Sequence, residues 1–251
     1  MEKEKVIATP DTADVKVSVD KKVSVSKSKI SVDEMMSAGV HLGHRTSKLN
    51  PKMSDFVVGI RNTVHVIDLE KTAKMLETAL AFISETIKSR GVVLLVCSKT
   101  PLQRLVKETA EEANIPYVAG RWLGGTFTNF DVINQRAKYF NTLTQEKAEG
   151  KLDKYTKKER IKIEKELQDL SGKFEGIKNL EKLPEVVFIC DIVKDDLALK
   201  EAAEKGIKTV AIIDTNADIS KVDYPIPAND DAISSVKYIL DKLKDAIINN
   251  Q

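Results

Sequence analysis

A chain of 251 residues with 42% hydrophobic content is long enough for one large or two small domains around a sizeable core. Charged residues make up 31% but nearly cancel, to a formal net charge of +2, so overall charge does not mark a nucleic-acid binder. No apolar run reaches the roughly 18 residues of a membrane span, and no apolar signal core opens the chain. The two cysteines, Cys97 and Cys190, each end an apolar run and read as small buried hydrophobes of a reducing compartment. A cytoplasmic protein with no membrane association is the expectation.

Charge is unevenly placed along the chain. From Glu181 onward nine lysines stand against fourteen acids, a net of −5, which leaves +7 for residues 1–180. Such a division suits one face on phosphate and another in solvent.

Residues 1–29 are rich in Lys, Val, Ser, Asp and Thr and read as a disordered N-terminal extension. Ser31 to Glu34 has the pattern of a capping box, and Val32, Met35 and Met36 give a short helix its apolar face, with Gly39 to end it. The stretch Gly39 to Met53, GVHLGHRTSKLNPKM, follows. Its glycines, Pro51 and poor apolar periodicity predict an irregular, basic segment. Phe56–Ile60 and Val64–Ile67 predict a hairpin, and Asp68 caps a helix from Leu69 to about Ser89 with a stripe of Ala73, Leu76, Leu80, Ile83 and Ile87. Val92 to Cys97 is a strand covered on both faces. Thr100, Pro101 and Gln103 open a helix with Thr100 as N-cap, Ile115 to Val118 is a short strand, and Arg121 to Thr126 is a loop holding the only Trp.

Residues 128–178 change character. Phe130, Ile133, Ala137 and Phe140 form one narrow stripe, and Ile163, Leu167, Leu170, Phe174 and Ile177 another, as in two helices packed as an antiparallel coiled-coil hairpin. Gly150 lies in the turn, and Thr156 to Glu159 caps the second helix. Strands at Val186–Cys190, Lys208–Ile213 and Tyr224–Pro227 then alternate with helices at Asp195–Lys205 and Asp231–Ile248. The alternation predicts a mostly parallel sheet with helices on both faces, interrupted by the hairpin. Residues 30–127 and 179–251 form the sheet domain, and 128–178 the insertion.

Ligands of an open parallel sheet gather at the carboxyl ends of its strands. Those ends carry Ser98, Lys99 and Thr100, then Asp191, then Asp214, Thr215 and Asn216. Asp191 and Asp214 with His41, or with His44 three residues on, are candidate ligands for a structural Mg or Zn ion, though HxxH spacing alone is a weak signal. The alternative is that the two aspartates cap helices and bond loop backbone. Neither a dinucleotide fingerprint nor a Walker-type lysine is present, so no small-molecule substrate is expected. His65 alternates within a strand and reads as structural. For RNA, the candidate contacts are His41, His44, Arg45, Lys48, Asn50, Lys52 and Arg61, with Arg121 and Trp122. Arg136, Lys138, Lys157 and Lys158 on the hairpin extend the list, against the reading that a mixed Lys/Glu face is simply solvated. A lone Trp such as Trp122 is more often a core or interface anchor than a base-stacking platform.

The motifs GVHLGHRTSKLNPKM, RNTVHVIDLEKT, RWLGGTFTNF and DTNADISKVDYPIPANDDAI occur here in one order. In that order they resemble the bacterial-type small-subunit ribosomal protein S-two family, over about Ser31 to Leu240. The resemblance implies a flavodoxin-like doubly wound domain with a protruding coiled coil. It also implies a structural constituent of the small (30S) ribosomal subunit that contacts 16S rRNA and neighbouring ribosomal proteins, in some bacteria the mRNA-binding protein S-one, with no catalytic activity and no cofactor. The extension 1–29 departs from the family pattern, as does the loop in CDIVKDDLALKEA, where many relatives are richer in His or Arg. The competing class is a Mg-dependent flavodoxin-like enzyme handling phosphate through Asp191 and Asp214.

Overall fold

A computed structural model describes residues 30–154 and 156–250. The expected extension 1–29 lies outside the described residues. In chain order the elements are α1 (Val32–Ser37), β1 (Leu42–Arg45), β2 (Val57–Arg61), β3 (Val64–Ile67), α2 (Leu69–Lys88), β4 (Val93–Cys97), α3 (Gln103–Glu112) and β5 (Tyr117–Ala119). They continue with α4 (Phe130–Ala148), α5 (Lys157–Phe174), β6 (Val186–Ile189), α6 (Asp196–Lys205), β7 (Lys208–Ile213), β8 (Tyr224–Pro227) and α7 (Ile233–Ile248).

Five parallel strands form the main sheet in the order β5-β4-β6-β7-β8. Alternate side chains of each strand enter different layers, as the period of two requires. Leu95, Phe188, Val210 and Ile212 join α2, α3 and α7 through Leu76, Ile83, Val106, Ile239 and Leu243. Leu94, Val96, Val187, Ile189, Ala211 and Ile213 face the other way, toward Trp122, Phe127, Ala198, Leu199 and the helix pair α4 and α5. Each such side chain, fully buried, contributes about 1.5–3 kcal/mol over leaving it in water. This explains why the central strands are apolar throughout rather than alternating.

Local signals match local structure in most places. The Asp68 carboxylate accepts from the Glu70 and Lys71 amides at 3.0 and 3.3 Å and starts α2. The capping box of Thr156 and Glu159 starts α5. β2 and β3 pair antiparallel across a two-residue turn in which Asn62 and Thr63 both have positive φ, +48° and +65°. Such a turn matches the twist of its strands. Thr100 does not cap α3: a 3-10 turn over Thr100–Leu102 precedes it, and neither Lys99 nor Leu102 forms a side-chain cap bond. The pyrrolidine ring of Pro101 tightens this entry, and α3 begins only at Gln103.

Gly39 to Met53 is more regular than its composition predicts. Leu42–Arg45 is a strand that pairs with β3, so the hairpin becomes a three-stranded sheet in the order β1-β3-β2. Two 3-10 turns, Thr46–Lys48 and Pro51–Phe56, carry the chain on to β2. Among the described residues, no helix is long and apolar enough to cross a membrane.

Candidate nucleic-acid interface

The small sheet is pinned to the carboxyl ends of the large one. The His44 amide donates to Thr215 Oγ1 at 2.9 Å, and the Asn50 amide donates to the Thr215 carbonyl at 2.8 Å. A Cβ on Gly43 would come within 2.6 Å of Thr215 Cγ2, so only glycine permits this approach without displacement. Lys52 Nζ donates to Asp218 Oδ2 at 2.9 Å and to Ser220 Oγ at 2.6 Å. The Lys52 ammonium and Ser220 hydroxyl hold the Asp218 carboxyl down at about 2.

The two predicted strand-end aspartates join a buried ionic network. Lys99 Nζ reaches Asp191 Oδ2 at 3.0 Å and Asp230 Oδ1 and Asp231 Oδ1 at 2.8 Å each. His44 Nδ1 reaches Asp214 Oδ2 at 3.0 Å, and its Nε2 lies 3.4 Å from Asp231 Oδ2. The hydrogen bond to Asp214 outweighs burial and raises the His44 pKa above its ordinary 6.5, with Asp214, Asp230 and Asp231 adding attraction. Carboxylates stand at both ring nitrogens, and their attraction favours the imidazolium form of His44. The side-chain amide nitrogen of Asn216 stands 3.3 Å from Nε2 while its oxygen is buried without a partner. Turning that amide over lets the oxygen accept from protonated Nε2. Burial, with the nearby Asp191 and Asp214 carboxylates, pushes Asp230 up to about 7 against the pull of Lys99.

This network changes the metal expectation. His41, Asp191 and Asp214 do not converge: Asp191 closes on Lys99 and Asp214 on His44. Among the described residues, the group whose ligand atoms fall within 4.8 Å of one another is His44, Asp230 and Asp231. Lys99 already sits on both of those carboxylates, and its ammonium takes the place a divalent ion would need, so the group does not fit one. Asp191 also bonds loop backbone, accepting from the Val193 and Lys194 amides at 2.8 and 3.1 Å.

With the acids so engaged, the exposed cations stand out. Arg45, Lys48 and Arg61 are exposed and line one cleft of about 940 Å³, together with His41, His44 and Asn62. His41 is half-buried, with Nδ1 enclosed and unbonded. Asn50 and Lys52 do not line the cleft. Asn50 accepts from the Lys52 amide at 3.0 Å, and Lys52 is held by Asp218. His65 is buried, as expected of a structural residue.

Arg121 is exposed at the root of its loop, in a separate recess with Arg104 and Lys107. Trp122 is only 6% exposed, packed edge-on against Phe127 at 4.8 Å, so its ring offers no open face to a base. Arg136, Lys138, Lys157 and Lys158 are exposed on α4 and α5 and do not line the cleft.

One residue of the site escaped the sequence expectations. Glu201 is 4% exposed and accepts five hydrogen bonds from the loop before α4. Its Oε1 takes the Trp122 indole at 3.2 Å and the Gly125 amide at 2.8 Å. Its Oε2 takes the Phe127 and Thr128 amides at 2.9 and 3.2 Å and the Thr128 hydroxyl at 3.3 Å. Burial pushes the carboxyl up, but the hydrogen bonds of Phe127, Gly125, Thr128 and Trp122 outweigh it and hold the pKa below its ordinary value. A signal was present: Glu201 lies three residues after Ala198 and just before Ala202, on the apolar face of α6.

The sequence relationships cover the same region. Residues 35–250 match a family model described as Ribosomal protein S2. The small ribosomal subunit protein uS2 of Fusobacterium nucleatum is 43% identical over 220 residues, 87% of this chain and 89% of that relative. The uS2 of Coprothermobacter proteolyticus is 41% identical over 219 residues, covering 87% of this chain and 82% of its own. That of Roseiflexus castenholzii is 43% identical over 219 residues, 87% and 83% of the two chains. The match takes in the pinned basic stretch, the Glu201-held loop and the strand-end network alike, and with it the chain belongs to the ribosomal protein S2 family.

Proposed function

We propose that this protein is a structural constituent of the small ribosomal subunit and works without catalysis, by docking on ribosomal RNA and neighbouring ribosomal proteins. The observation that carries this is the match of residues 35–250 to a ribosomal protein family. The geometry supports it: Arg45, Lys48 and Arg61 surround one open cleft, while the nearby acids are bound to Lys99, His44 and Lys52. Exposed cations can neutralise phosphate and release counterions. The protein then resides in the cytoplasm, within the ribosome.

The finer reading follows the same lines. Counting the large-sheet strands in chain order, the arrangement is 2-1-3-4-5, which supports a flavodoxin-like doubly wound domain over residues 30–127 and 179–251. Phe140, Leu143, Leu167 and Phe174 share one apolar cluster, which supports an antiparallel coiled-coil hairpin over 128–178. Its exposed Arg136, Lys138, Lys157 and Lys158 extend the contact to RNA or a second protein. 16S rRNA is the RNA partner, and the mRNA-binding protein S-one is a protein partner.

Replacing Arg45, Lys48 and Arg61 together by Ala tests the reading. If each meets one phosphate, the salt dependence of binding falls by about 0.7–0.9 in log–log slope per residue. Incorporation into small subunits, measured in competition with the unaltered chain, should drop accordingly. Equal incorporation at raised salt would rule out the cleft as the RNA contact.

A further inference from the structure

The loop from Arg121 to Thr128 joins an exposed guanidinium to the start of α4. Gly125 holds a positive φ of +92° at its centre. Asn129, the N-cap of α4, makes no side-chain cap bond. The nearest anion to those helix-entry amides is Glu201, which reaches Phe127 and Thr128 from α6, 74 and 73 residues further along the chain. An anion is favoured there by the unpaired amides and the helix dipole. A buried carboxylate must keep its donors, so the loop cannot move without stripping a charge in a place water does not reach.

We propose that Glu201 is a positioning residue for the interface. Its carboxylate fixes the loop that presents Arg121 and sets the direction in which α4 leaves the sheet domain. The proposal rests on the reading that the exposed basic groups meet ribosomal RNA. A role confined to overall stability would loosen the whole sheet domain and leave the contribution of Arg121 unchanged. A positioning role loosens the loop first and makes the contribution of Arg121 depend on Glu201.

The test uses the full-length chain with Glu201→Gln, Arg121→Ala and the double substitution. Glutamine keeps the size of the side chain but loses the charge and one acceptor oxygen. In the isolated protein, Glu201→Gln should speed amide exchange at Gly125, Phe127 and Thr128 by about tenfold or more while the amides of β6 and β7 keep their rates. The emission of the chain's single Trp should shift to the red, because the loop that packs Trp122 against Phe127 loosens. Binding to small subunits lacking this protein should weaken, and Arg121→Ala should cost clearly less in the Glu201→Gln background than alone. Unchanged exchange at the three amides, or fully additive losses, would overturn the proposal. If Glu201→Gln fails to fold, Thr128→Val removes only the 3.3 Å hydroxyl donor. It should speed exchange at Thr128 alone, and an unaltered rate there counts equally against the idea. If the unaltered chain does not bind subunits, the ribosomal reading fails, and the exchange and emission results still decide whether Glu201 holds the loop.

Discussion

Two loops that present arginines are held to the same sheet domain by different electrostatics. Gly39 to Met53 is fastened by acid–base side-chain pairs: His44 to Asp214, Lys52 to Asp218, and beside them Lys99 to three aspartates. Arg121 to Thr128 is fastened by one carboxylate taking neutral donors from backbone, indole and hydroxyl. In the first region, bound acids leave Arg45, Lys48 and Arg61 to face outward. In the second, no partner is charged, so the loop keeps Arg121 uncompensated by Glu201. Both arrangements leave exposed arginines at the surface, one by pairing off local acids and the other by burying one.

The largest effect is expected at Lys99, which holds three aspartates. Replacing it by Met leaves Asp191 and Asp230 buried without their cation, which should cost about 3–5 kcal/mol. The loss, read from denaturant unfolding, should shrink as the pH falls and the carboxylates take up protons. An equal loss at all pH values would show that Lys99 acts through packing instead.

Gly43→Ala strikes the ionic region sterically. The added methyl meets Thr215 at 2.6 Å and should cost about 1–3 kcal/mol. It should also accelerate exchange of the His44 amide while leaving Gly125 untouched. Coupled loosening of both amides would mean that the two loops are not independently held.

Opposite pH windows sharpen the contrast further. The His44 pKa is raised above 6.5, so its stabilisation is complete below that value and is lost as pH rises through the folded pKa. The Glu201 pKa is lowered below 4.5, so its stabilisation is present above that value and is lost as pH falls through the folded pKa. Exchange corrected for intrinsic rates should therefore rise at His44 on the alkaline side and at Gly125 on the acid side. His44→Gln should abolish the first dependence and keep the second.

The smallest expected effect is at the tip of the hairpin. Thr63 is a branched residue at φ +65°. Thr63→Gly should stabilise the protein by up to about 1 kcal/mol, because glycine takes this conformation without strain. A loss of stability would show that the Thr63 side chain contributes more than its backbone costs.

Much of the architecture was legible in the residues because it depends on neighbours. β7 spans Lys208–Ile213 as its apolar run predicts, and the stripe of α2 buries Leu76 and Ile83. The capping residues of α2 and α5 also act as their patterns indicate. The exception, β1, has little apolar alternation. It is a strand because β3 offers it a free edge, and that edge exists only once the hairpin has formed.

Pattern and composition determined by themselves where most helices and strands lie, which faces are apolar, and that the stretch after Gly39 is basic. Only the tertiary structure decided which charges remain available. His44 meets Thr215 across 171 residues, Lys52 meets Asp218 across 166, and Trp122 meets Glu201 across 79. Lys52 and Arg45 look alike in sequence, and only the fold shows that the first is bound by Asp218. Periodicity extends over a few turns, whereas a salt bridge depends on which distant carboxylate the sheet order brings within about 4 Å.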